Sequence, residues 1–305
     1  MLSIPAAAGA QSLSGAREWL PPGSLSLDAL SLHPEEMQGG GVQQSFYAEY
    51  GRLAFRSPMV LGGTASKAGL SCQACHPNGF ANEDFFIPGL SDAHGRIDVT
   101  QAFWNNRGEN HRNDPLTIPS LRGVKSKDRL GHDRRSASLR EFTRRVIVTE
   151  FGGNEPNPTL LDALVAYQET LQPATVVDRP VTMAGDLADI GRHLNTLAVP
   201  LAEENAALSG TIATMVRGQL GFIHERLDGD DLAAARDIVE GWSRGLEEIA
   251  GLAVEGKWRP ARDRLAALHE AVAAPPAALA NAGPRSLYNP VRLKAWLARS
   301  PAATQ

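Results

Sequence analysis

Residues 72–76 read Cys-Gln-Ala-Cys-His, and the chain holds no cysteine outside this pentad. The spacing constrains the fold more than any other feature. Cys-x-x-Cys-His lets each thiol add to one vinyl group of a porphyrin while the next residue's imidazole meets the iron. With both cysteines in one motif, no thiol remains for a structural disulfide. One motif predicts one covalent haem c, with Cys72 and Cys75 as anchors and His76 as proximal iron ligand.

Two other chemistries share part of this spacing. A thioredoxin-like redox pair needs a βαβ setting and a helix opening at the first cysteine. The flanks Gly69-Leu70-Ser71 and Pro77-Asn78-Gly79 are turn-rich, with no strand pattern ahead of them. A zinc site needs two further ligands at suitable spacing, and the other histidines are scattered singly. Haem is the reading the pentad favours.

The 305 residues leave room for about two domains. A formal net charge of −4, with no basic run, gives no nucleic-acid footprint. No uninterrupted apolar stretch approaches the roughly 20 residues that a membrane-spanning helix needs. At the N-terminus, Ala8-Gly9-Ala10 before Gln11 fits an A-x-A cleavage pattern, which reads as the remnant of a signal peptide. Covalent haem attachment takes place on the exported side of a bacterial membrane, so the expected location is the periplasm.

Residues 1–41 read as this remnant followed by an extended leader, rich in Gly, Ser, Leu and Pro. Residues 42–173 read as a cytochrome c-like haem domain. Phe46, Tyr50, Leu53 and Ala54 recur at helical steps. From Pro77 to Lys127 the sequence is loop-like, and a loop this long in a compact domain is expected to wrap something. Ser138-Leu-Arg-Glu141 is a capping box that opens a helix, and Thr159 to Leu171 predicts another. Beyond Pro173, blocks of 3.6-residue periodicity run from Thr182 to Leu197, Leu201 to Leu227, Asp230 to Leu252 and Trp258 to Val272. Short connections between them predict an antiparallel helical bundle over 174–275. A tail, 276–305, carries one short helix near Val291–Arg299. The expected fold class is all-α, with no credible strand between the helices that flank the long loop.

The stretch from Tyr47 to Leu171 resembles the cytochrome c domain of the bacterial di-haem cytochrome c peroxidase family. The likeness lies in Gly51-Arg-Leu-Ala-Phe55 with Ser57-Pro58 ahead of Leu70-Ser71-Cys72, and in Ile118-Pro119-Ser120-Leu121-Arg122-Gly123-Val124. It continues in Gly131-His132-Asp133-Arg134-Arg135 before Ser138-Leu139-Arg140-Glu141, and in Leu161 to Tyr167. Members of that family carry two haem motifs, with peroxide chemistry at one haem and electron relay at the other. This chain has one motif, and Val146 stands near the position where the relay haem often takes methionine.

The sixth iron position decides the chemistry, since two strong ligands make an electron carrier and an open side admits peroxide. His132 and Met59 are candidates for it, each with an ordinary alternative: His132 as a propionate partner or helix cap, Met59 as packing. Arg122 and Arg134 are candidates for haem propionates, because guanidinium matches a carboxylate fork. His94 and His111 lie in the long loop, and Met183 and Met215 fall at core spacing. The first functional expectation is an electron-transfer cytochrome with a redox protein partner. The alternative is a peroxidase-like haem enzyme or sensor with an open iron, using His132 or the Glu109/His111 pair as distal acid–base groups. The bundle is expected to dock that partner or a second subunit.

Overall fold

The computed structural model describes residues 26–36, 45–131 and 136–299. His132, Arg134 and the residues read from sequence as a signal-peptide remnant lie outside the described residues, as does most of the segment read as a leader.

The half that carries the Cys72–His76 pentad is built on two helices. Helix α1 (Leu27–Ser31) and strand β1 (Leu32–Pro34) come from the leader, and α2 (Phe46–Phe55) follows. Ser45 caps α2 by accepting the amide of Ala48. After α3 (Gly63–Lys67), the single-turn α4 (Cys72–Cys75) carries the motif. Helix α5 (Leu139–Arg145) opens at Ser138, whose Oγ accepts the Glu141 amide, while the Glu141 carboxylate reaches back to the amide of Ala137. The capping box is therefore formed, with its return bond shifted by one residue. The helix then widens into a π-turn over Val146–Glu150. Helix α6 (Pro158–Thr170) packs along α2.

That packing depends on Gly51, where a Cβ would land on the Ala163 carbonyl oxygen. Tyr50, Leu53, Leu164 and Tyr167 are fully buried around the same seam.

Four helices make the second half: α7 (Met183–Ala202), α8 (Ala206–Arg226), α9 (Ala233–Val254) and α10 (Trp258–Ala273). Each packs on its chain neighbour, and α10 closes back on α7, so the four form a ring around one core. Helix α7 runs through Pro200, where the sequence predicts a break. Proline in the last turn removes only one hydrogen bond, and here its ring is buried in the core. The next helix accordingly starts later, at Ala206, under an Asn205 cap.

Among the described residues two short antiparallel ladders form, and one of them lies inside the loop expected to hold no strand. In one, β2 (Arg96–Ile97) pairs with β3 (Leu116–Thr117) inside the long loop. In the other, β1 pairs with β4 (Asp178–Pro180). Segments of two or three residues are too short to display alternation in sequence. The molecule remains predominantly helical. After α11 (Ala277–Ala280), the tail helix α12 (Pro290–Ala298) brings Leu293 and Trp296 against Leu30, so leader and tail share a small core of their own.

Candidate functional site

The pentad folds as one helical turn. The His76 amide donates to the Cys72 carbonyl at 2.8 Å, which makes His76 the C-cap of α4. Cys75 is buried and Cys72 half-buried, and both are free thiols. Burial pushes the Cys72 thiol up to about 12, and Cys75 higher still because Cys72 lies beside it. A redox-active dithiol depends on a depressed thiol pKa, so this environment is the opposite of a thioredoxin site.

Burial also drives His76 down to about 4, outweighing the nearby Pro119 carbonyl, which favours the protonated ring. The imidazole is therefore neutral at ordinary pH, the form that can ligate a metal. Its Nδ1 is buried and makes no hydrogen bond, although the Pro119 carbonyl faces the ring. An iron-ligating histidine normally donates its second ring N–H to just such a carbonyl.

The chain beyond the motif is strapped down. Gly79, at φ +84°, accepts the Leu121 amide at 2.8 Å, which lays the segment Ile118–Arg122 alongside the pentad's exit. Asn82 closes the near side: its amide donates to the Cys75 carbonyl and its Nδ2 to the Ala74 carbonyl. Phe85, Leu90, Ile97, Trp104 and Ile118 bring the long loop into the core that contains Ala74 and Cys75.

The predicted site residues separate into groups. Cys72, Cys75, His76 and Arg122 come together at the loop's root. Arg122 is buried, its guanidinium stacked 4.9 Å from the Phe80 ring centroid and its Nη1 donating to the Asn78 carbonyl at 3.4 Å. Met59 is 43 % exposed and lines a groove of about 610 Å³ between the segment 57–69 and helices α8 and α9. The pentad does not line that groove. His94 is exposed, stacked on Phe86, with Nδ1 3.1 Å from the Asp84 carbonyl. The Glu109 carboxylate accepts the amides of His111 and Ala102, which lowers its pKa and ties it to the loop backbone.

Sequence reasoning missed the polar cluster behind the motif. Arg52 donates to Glu36 at 2.7 Å, Arg56 lies 3.3 Å from the same carboxylate, and the Tyr167 hydroxyl donates to it at 2.8 Å. The two arginines hold the Glu36 carboxyl far below the usual carboxylate range despite its burial. The available signal was two arginines, four residues apart, inside an otherwise apolar helix pattern.

Among the described residues, no group of three or more His, Cys, Asp or Glu side chains converges to hold a metal ion, and no helix is long and apolar enough to cross a membrane. No protein-family model, curated protein or solved structure matches this chain.

Proposed function

We propose that this chain is a mono-haem c-type cytochrome that transfers electrons. The carrying observation is the single turn Cys72–Cys75, with two free thiols one turn apart and a neutral, half-buried imidazole closing it. Thioether attachment asks for two sulfurs and one imidazole at different points of a porphyrin, not for ligands that converge on one ion. Each thiol adds its S–H across a vinyl double bond: an S–C bond forms, the proton passes to the other vinyl carbon, and no electron enters or leaves.

When bound, the haem supplies a one-electron iron couple. His76 would contribute the proximal lone pair, and the Pro119 carbonyl that faces its ring would be the acceptor for the ring N–H left free. Arg122, at the same root, is the candidate for a propionate, because a guanidinium matches a carboxylate fork. The motifs also support kinship with the di-haem cytochrome c peroxidase family, an exported location, and a redox protein partner that meets the helical bundle. The peroxide-handling alternative draws less support, since Glu109 is engaged with loop amides and His94 and His111 are exposed on the loop.

The test is the visible spectrum of protein matured in a periplasm. A low-spin ferric spectrum indifferent to peroxide is expected. A high-spin spectrum that shifts with peroxide would replace the carrier with an open-iron enzyme or sensor.

A further inference from the structure

Asn78 stands two residues beyond His76 in a left-handed backbone conformation (φ 49°, ψ 32°). Its side chain and backbone are bound from four directions. Oδ1 accepts from Arg56 Nη2 at 2.5 Å and from Gln73 Nε2 at 3.2 Å. Nδ2 donates to the Pro34 carbonyl at 2.6 Å, and the Asn78 amide donates to Gln73 Oε1 at 3.1 Å. The Asn78 carbonyl accepts from Arg122.

Gln73 is the residue directly after Cys72, so the Gln73–Asn78 pair closes a ring around Ala74, Cys75 and His76. Arg56 is in turn fixed by Glu36, and Pro34 belongs to β1. Four separate parts of the chain therefore hold the backbone on the exit side of His76. Asparagine suits the position twice, because it tolerates positive φ and because its amide both donates and accepts.

We propose that Asn78, clamped by Gln73 and Arg56, is a positioning residue that fixes the orientation of the His76 imidazole and so helps to set the reduction potential of the haem. This inference rests on the haem reading above. Packing alone would need only an apolar or small side chain here. A buried, charge-assisted network instead defines one geometry, and ligand orientation is among the features that tune a metal's potential.

Asn78→Gly keeps the left-handed backbone while deleting the amide. Gln73→Ala removes the other half of the ring and leaves Asn78 in place. Both variants are expected to retain one haem per chain by the pyridine haemochrome assay. Both should shift the ferric electron-paramagnetic-resonance signature and move the ferric/ferrous balance in the same direction. The expected size is on the order of tenfold, ~59 mV for one electron. If both hold haem with wild-type potential and spectrum, Asn78 has no positioning role. If the variants shift in opposite directions, the ring is not the unit that acts. A wild-type protein without covalent haem overturns the haem reading itself, and this inference falls with it.

Discussion

Arg52 and Asp189, on helices α2 and α7, meet through two hydrogen bonds of 2.7 and 2.8 Å from one guanidinium nitrogen to both carboxylate oxygens. The pair joins the pentad-bearing half of the molecule to the bundle, and the same arginine donates its Nε to Glu36. The two acidic partners are unequal. Asp189 is 42 % exposed at its side chain and Glu36 only 12 %. Water already solvates Asp189, so Asp189→Asn is expected to cost under about 1 kcal/mol. Arg52→Ala leaves a buried carboxylate with Arg56 and Tyr167 still bound, and is expected to cost about 3 kcal/mol. Urea unfolding of the two variants checks the ordering.

Gly51 is required where α2 and α6 touch. Gly51→Ala puts a methyl group against the Ala163 backbone, which cannot yield as a flexible side chain would. The expected loss is about 3 kcal/mol, at the upper end of ordinary overpacking. A control substitution at Gly218, where a Cβ meets nothing nearby, is expected to be neutral or mildly stabilising. Thermal unfolding of both variants measures the contrast.

Stability is expected to fall between about pH 6.5 and pH 4. His33 is lowered to about 4, and His193 lies well below its ordinary value, in both cases first because burial disfavours the charged ring. Arg52, Arg56 and Arg192 add to the effect at His193, while Asp189 opposes it. A depressed folded pKa on a base means that the unfolded chain binds more protons in this window. The stabilisation is complete above 6.5 and lost as pH falls toward 4. Glu36, held far down by Arg56 and Arg52, keeps its contribution until below the ordinary carboxylate range. Urea midpoints at pH 7.5, 6 and 4.5 measure the slope, and His193→Leu is expected to flatten it.

Trp296 anchors the small core shared by leader and tail, together with Leu30, Leu287 and Leu293. Arg226 reinforces it by donating to the carbonyls of Leu30 and Leu287. Because this core is separate from the main one, Trp296→Ala is expected to open it locally. Hydrogen exchange should rise in residues 26–36 and 287–298, with α2 and α6 protected as before.

Much of the helical framework was legible, because α2, α6 and the bundle helices expose a 3.6-residue stripe and several carry caps. Ser138 and Trp258 mark observed boundaries within one residue. Pro200 misled because local rules treat proline as a stop, whereas its place in the last turn made it tolerable. The β1–β4 ladder was invisible because it pairs residues nearly 150 positions apart over three rungs. The haem proposal draws on the spacing of the pentad alone. Asn78, Arg56 and Glu36 carry no motif; their roles arise from three segments meeting behind α4, which only the fold brings together.

The proposed function stands or falls with one haem held by Cys72 and Cys75. The most direct measurement is the intact mass of the denatured protein after expression with a c-type maturation system. The expected mass is the polypeptide plus one haem, and the bare polypeptide when both cysteines are replaced by alanine. A wild-type chain that carries no added haem under those conditions would contradict it.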